Sequence, residues 1–81
     1  MTLRVQFFAQ LRDLAGVSEL TIDLPNGATV RDLLENIYTE RPALRARDQS
    51  ILIGVGVEFA GRDHQLQPGE EISIMPPVQG G

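Results

Sequence analysis

A single continuous apolar stripe of helical period interrupts a chain that otherwise reads as strands and turns. Val30, Leu33, Leu34 and Ile37 fall at i, i+3, i+4 and i+7, so they share one face of a helix. Thr29 stands at the N-cap position, where its hydroxyl can accept from a backbone N–H that the helix leaves unpaired. Asp32 adds a carboxylate in the first turn, which the helix dipole favours. Pro42 closes the segment, and Arg41 before it is biased away from helix. A helix that is apolar on one side must bury that side against something. No second long helix is on offer, so the stripe predicts one helix laid across one face of a sheet.

The remaining segments supply that sheet. Leu3-Arg4-Val5-Gln6-Phe7-Phe8 alternates until Phe8, placing Leu3, Val5 and Phe7 on one face. Gln10 to Ala15 reads as a short helical turn capped by Gly16. Glu19-Leu20-Thr21-Ile22-Asp23-Leu24 alternates with Leu20, Ile22 and Leu24 inward, and Pro25-Asn26-Gly27 breaks it. The charged stretch through Arg45, Arg47 and Asp48 reads as a surface loop. Ile51-Leu52-Ile53-Gly54-Val55 is a buried-type strand in which Gly54 allows another backbone to approach closely. Gly56 is expected at positive φ before a short strand through Glu58, Phe59 and Ala60. Pro68-Gly69 gives a type II turn, and Glu71 to Met75 is the last strand, stopped by Pro76 and Pro77, which lack ladder donors. The expected architecture is α+β, with four to five strands and one main helix across one face.

Composition removes several function classes. An 81-residue chain makes one small domain with a modest core. A net charge of −4 is unsuited to nucleic acid, which demands clustered cations. No apolar run approaches the ~20 residues of a membrane span, and the N-terminus lacks a signal-peptide pattern, so a cytoplasmic location is expected. There is no cysteine, hence no thiolate metal site and no internal sulfur nucleophile. All seven basic residues are arginine, so no lysine amine is available for Schiff-base or isopeptide chemistry. His64 lies in a polar turn with no second His or Cys near it, and no metal site is expected. The carboxylates are scattered, without a pair spaced for acid–base work.

The sequence ends Pro76-Pro77-Val78-Gln79-Gly80-Gly81. Glycines at a terminus bury nothing and lose the most freedom when ordered, so they add nothing to a core. A frayed end without a role is the commoner meaning of such a terminus. A diglycine arm carrying a bare carboxylate can also thread a narrow channel where any Cβ would clash. The expected division is a folded domain over 1–77 and a flexible tail over 78–81.

Three segments carry a resemblance. The opening Phe7-Phe8-Ala9-Gln10-Leu11-Arg12-Asp13-Leu14-Ala15-Gly16, the turn Leu66-Gln67-Pro68-Gly69-Glu70-Glu71 and the ending Pro76 to Gly81 together resemble the small-subunit family of molybdopterin synthase. These are sulfur-carrier proteins of the β-grasp, or ubiquitin-like, superfamily. The similarity spans essentially the whole chain, and the ending is its most specific part. Gly56 stands where that family often has Asn, Glu70 replaces the usual Asp, and Met75 lies where an aromatic is common.

The resemblance implies a chemistry centred on Gly81. Its carboxylate would be adenylated by a ubiquitin-activating-like enzyme, which uses ATP, and converted to a thiocarboxylate. That group would donate sulfur to a cyclic pyranopterin precursor in the large subunit during molybdenum cofactor biosynthesis. The resemblance also implies a heterotetramer of two small and two large subunits. The chain itself would bind no cofactor and would not be catalytic alone. Sulfur carriage for thiamin thiazole, cysteine or transfer-RNA thiolation is the nearest rival, a ubiquitin-like protein modifier the next, and a plain interaction module the third.

Phe8 and Met75 fall out of phase with the core residues of their strands, so both should point to the sheet face without a helix. The phase of Phe59 is open, because its strand is too short. Large apolar groups on an uncovered face suggest an interface, although padding of a loop or core edge is the equal alternative. With Pro76 and Pro77, these are the candidate partner-binding residues, and Gly81, Gly80, Gln79 and Val78 form the candidate reactive tail. Arg12 reads as a surface arginine.

Overall fold

The structure, a computed structural model, describes residues 1–77; the tail expected over 78–81 lies outside them. The element order is β1 (Thr2–Phe7), α1 (Gln10–Ala15), β2 (Glu19–Asp23), α2 (Val30–Glu40), a 3-10 helix (Pro42–Ser50), β3 (Leu52–Val55), β4 (Glu58–Phe59) and β5 (Glu71–Met75). The five strands form one mixed sheet in the order β2-β1-β5-β3-β4. β1 and β5, from opposite ends of the chain, pair in parallel at its centre, while the other three pairings are antiparallel.

The alternation of the strands decides which face is covered. Leu3, Val5 and Phe7 of β1, Ile53 and Val55 of β3, and Ile72 and Ile74 of β5 are buried together with Val30, Leu33, Leu34 and Ile37 of α2. That is the apolar stripe laid on the apolar face. Among the described residues no charged residue is buried, and the one buried hydroxyl, that of Tyr38, is hydrogen-bonded to Asp48. The expected inward face of β2 is realised at Ile22 and Leu24, whereas Leu20, towards the sheet edge, is only half-buried.

Local signals behave as their chemistry dictates. The Thr29 hydroxyl accepts from the Asp32 N–H at 3.3 Å, and the Asp32 carboxylate accepts from the Thr29 N–H at 2.9 Å. This reciprocal capping box satisfies two backbone donors at the start of α2. At the end of α1, Gly16 takes φ 79° and donates its N–H to the Arg12 carbonyl at 2.9 Å. Gly69 occupies the left-handed position of the expected turn at φ 83°.

The stretch expected as a surface loop is corrected. Pro42 to Ser50 is a 3-10 helix rather than a loop, and Leu44 within it is wholly buried. Its charged residues serve as ties. The Tyr38 hydroxyl donates to Asp48 Oδ1 at 2.5 Å, Arg62 donates to the Asp48 carbonyl at 2.6 Å, and the Arg45 guanidinium sits 5.1 Å from the centre of the Tyr38 ring. Burial, and then the Asp48 contact, raises the pKa of the Tyr38 phenol, so it stays a neutral donor. These ties press Leu44 into the core beside the end of α2.

Removing the Leu44 side chain should therefore cost about 2–5 kcal/mol, because a buried leucine leaves a cavity. Thr29→Ala should cost about 1 kcal/mol through loss of the cap. Chemical denaturation checks both; a Leu44→Ala midpoint close to that of the parent would contradict the packing described.

Candidate functional site

The sheet face opposite α2 is divided along its length. On the β2 side Arg4 holds Glu19 at 2.8 Å and approaches Glu71 at 3.6 Å, with Gln6 also donating to Glu19 at 3.5 Å. The Arg4 hydrogen bond lowers the pKa of the exposed Glu19 carboxyl, and Glu19 in turn raises that of Arg4. This half is a solvated polar surface.

The other half is apolar, and strand register shows how it is assembled. Phe7 pairs with Ile74 and the Phe8 N–H donates to the Ile74 carbonyl at 3.1 Å, which sets Phe8 beside Met75. Met75 is also the register partner of Leu52. By alternation with buried Phe7, Ile74 and Ile53, all three lie on the uncovered face. Phe8, Met75 and Leu52 thus form a row across three adjacent strands, at the end of the sheet where β5 gives way to Pro76. Phe8 is 40% exposed, whereas Leu52 and Met75 are half-buried, so the row reaches solvent chiefly at Phe8.

Phe59 joins this face from β4. It is paired with Gly54, whose position on β3 is two residues from Leu52, and it is 71% exposed. The closest approach at Gly54 is by a side chain: a Cβ there would meet Met75 Cε at 3.2 Å, with the Glu58 backbone carbonyl farther off at 3.8 Å. Met75 therefore leans over the bare glycine towards Phe59. Together with Val57 and Ser73 they line a shallow hollow of about 200 Å³. Val57 is fully exposed at the turn made by Gly56, whose φ of 61° agrees with the positive value expected.

The structure thus brings Phe8, Met75 and Phe59 to one face, with Phe8 at the far side of Met75 from Phe59. Pro76 is half-buried and Pro77 exposed at the strand end. The candidate residues Val78, Gln79, Gly80 and Gly81 lie outside the described residues. Sequence reasoning missed two members. Leu52 sits in a run of apolar residues where alternation leaves no trace, and Val57 is a lone apolar residue in a turn. His64 is remote from this face, with its Nε2 3.9 Å from Glu70. Among the described residues no three His, Cys, Asp or Glu side chains converge as metal ligands.

Because Phe59 lies outside the core, Phe59→Ala should change stability by no more than about 0.5 kcal/mol. Ile74→Ala, one residue from the patch but facing inward, should cost about 2–5 kcal/mol. A large loss for Phe59→Ala in a denaturation curve would return that residue to the core.

Comparison with known proteins identifies the family and the fold. The model of the ThiS family matches residues 5–81. A molybdopterin synthase sulfur carrier subunit from Chlamydomonas reinhardtii is 35% identical over 83 residues, covering 100% of both chains. A solved structure described as molybdopterin converting factor, subunit 1, from Pyrococcus furiosus superposes with a TM-score of 0.88 at 34% identity, over 96% of this chain and 99% of that one. The small archaeal modifier protein 1 of H. volcanii superposes with a TM-score of 0.86 at 28% identity, over 95% of this chain and 98% of that one. The fold is the β-grasp of ubiquitin-like proteins, and the chain belongs to the ThiS family, with sulfur carrier subunits of molybdopterin synthase among its relatives.

Proposed function

We propose that the chain is the sulfur carrier subunit of a molybdopterin synthase. The observation that carries this reading is the position of the apolar row: Phe8, Met75 and Leu52 sit at the sheet end from which β5 continues to Gly80-Gly81. A partner seated on that row lies where the terminus can reach it. Four extended residues span at most about 13–14 Å, so docking face and reaction centre must be close together.

The chemistry assigned to Gly81 follows from its carboxylate. As an anion without a leaving group it is inert. Attack of its oxygen on the α-phosphate of ATP, bound by the ubiquitin-activating-like adenylyltransferase, expels pyrophosphate and creates an acyl adenylate. Hydrosulfide-level sulfur then displaces AMP, giving a thiocarboxylate able to attack a cyclic pyranopterin in the large subunit, and hydrolysis of the resulting acyl–sulfur bond leaves the sulfur on the pterin and returns the Gly81 carboxylate. The chain contributes proximity and supplies neither acid, base nor cofactor. The relatives' names support a subunit role. We place the chain in the cytoplasm, in a heterotetramer of two small and two large subunits, with the same face meeting large subunit and activating enzyme in turn.

The likeness to small archaeal modifier protein 1 favours a second reading, conjugation of Gly81 to lysines of other proteins. Carriage to thiazole, cysteine or transfer RNA is a variant of the first. A reconstituted pterin sulfuration assay separates them. Deleting Gly81, or extending the chain beyond it, should abolish transfer while leaving the thermal midpoint nearly unchanged. A truncated chain that still supports sulfuration would refute the proposal. Phe8→Ala or Phe59→Ala should weaken binding to the large subunit by about 1–3 kcal/mol, as loss of an apolar anchor does. Calorimetry showing unchanged affinity for folded Phe8→Ala would remove it from the interface.

A further inference from the structure

Successive residues of a strand aim their N–H and C=O groups at opposite neighbours. In β5 the direction at each position can be read from two bonds. The Ile74 carbonyl accepts from the Phe8 N–H at 3.1 Å, so even-numbered positions face β1. The Glu71 carbonyl accepts from the Gly56 N–H at 3.0 Å, so odd-numbered positions face the β3 side. Carried forward, the N–H of position 76 would point at the Phe8 carbonyl and that of position 77 at the β3 flank. Both positions are proline and have no N–H.

Each flank is closed a second time by the neighbouring strand. On the β1 side, the Phe8 carbonyl accepts from the Leu11 N–H at 3.1 Å across a tight turn. Ala9 in that turn has φ 53° and ψ −136°, a type II′ position normally taken by glycine. On the β3 side, pairing starts at Leu52, preceded by the 3-10 helix that ends at Ser50. Both ladders therefore stop at the level of Met75.

We propose that Pro76 and Pro77 are positioning residues: Pro76 removes the donor by which β1 would extend its pairing past Met75, and Pro77 removes the donor that would face the end of the 3-10 helix at Ser50, so that the chain leaves the sheet unpaired on both flanks. A neighbour strand runs about 4.8 Å away, and a channel that admits one chain excludes a paired one. This rests on the reading that Gly81 is the reacting terminus.

The test is Pro76→Val and Pro77→Val, singly and together, in the full chain. A carbonyl has two acceptor sites, so the new N–H at 76 can share Phe8 with Leu11. The amide at 76 should exchange about tenfold or more slower than in an unfolded peptide, as a paired amide does. Transfer of sulfur by the double variant should fall about tenfold or more, as expected for a displaced reactant. An amide at 76 exchanging at the unpaired rate overturns the proposal, and so does a protected amide with parental transfer. If the parent itself carries no sulfur, the functional reading fails separately, and the amide measurement still decides whether the prolines restrain pairing.

Discussion

β1 and β5 come from opposite ends of the chain and pair in parallel at the centre of the sheet, and most of the architecture follows from that pairing. Two parallel strands cannot be joined by a hairpin, so the chain between them must cross over, and α2 lies on that crossing. Its apolar stripe covers the inner face. Leu3, Val5, Ile72 and Ile74 are among the most completely buried residues, as central strands beneath a helix require. The same pairing sets Phe8 beside Met75 and sends the C-terminal strand out through the middle of the sheet rather than along an edge.

The two faces of the sheet have different tasks. The inner face is uniformly apolar and carries the stability. On the outer face, half is occupied by Arg4 and its carboxylate partners, and half by exposed apolar groups that cost solubility without adding to the core. A net charge of −4 offsets part of that cost. Exposure of Phe59 and Val57 makes physical sense when a partner covers them, and Met75, which lines the same hollow and ends β5, links that surface to the start of the terminal segment. Under the proposed function the domain would dock and the terminus would react.

Much of this was legible in the residues because their periods are unambiguous. Val30, Leu33, Leu34 and Ile37 specify a covered face, and the phase break at Phe7-Phe8 and at Ile74-Met75 marks residues belonging to the other one. Gly16, Gly56 and Gly69 declare their turns. Leu52 was not legible, since every neighbour in its run is apolar and only pairing with Met75 reveals its side. Leu44 was hidden for the opposite reason, as one apolar residue in a charged stretch has no period. Phe59 needed its partner Gly54 to fix its direction. Ala9 gives no chemical hint of a left-handed backbone; the crossing of β1 into α1 imposes it.

The central claim is that Gly81 is a sulfur-bearing terminus, and the most direct measurement is the intact mass of the chain isolated from its native cells. The account predicts a fraction heavier by the exchange of one oxygen for one sulfur, with fragmentation placing that exchange on Gly81. An unmodified terminus throughout, or a population joined through Gly81 to lysines of other proteins, would contradict it.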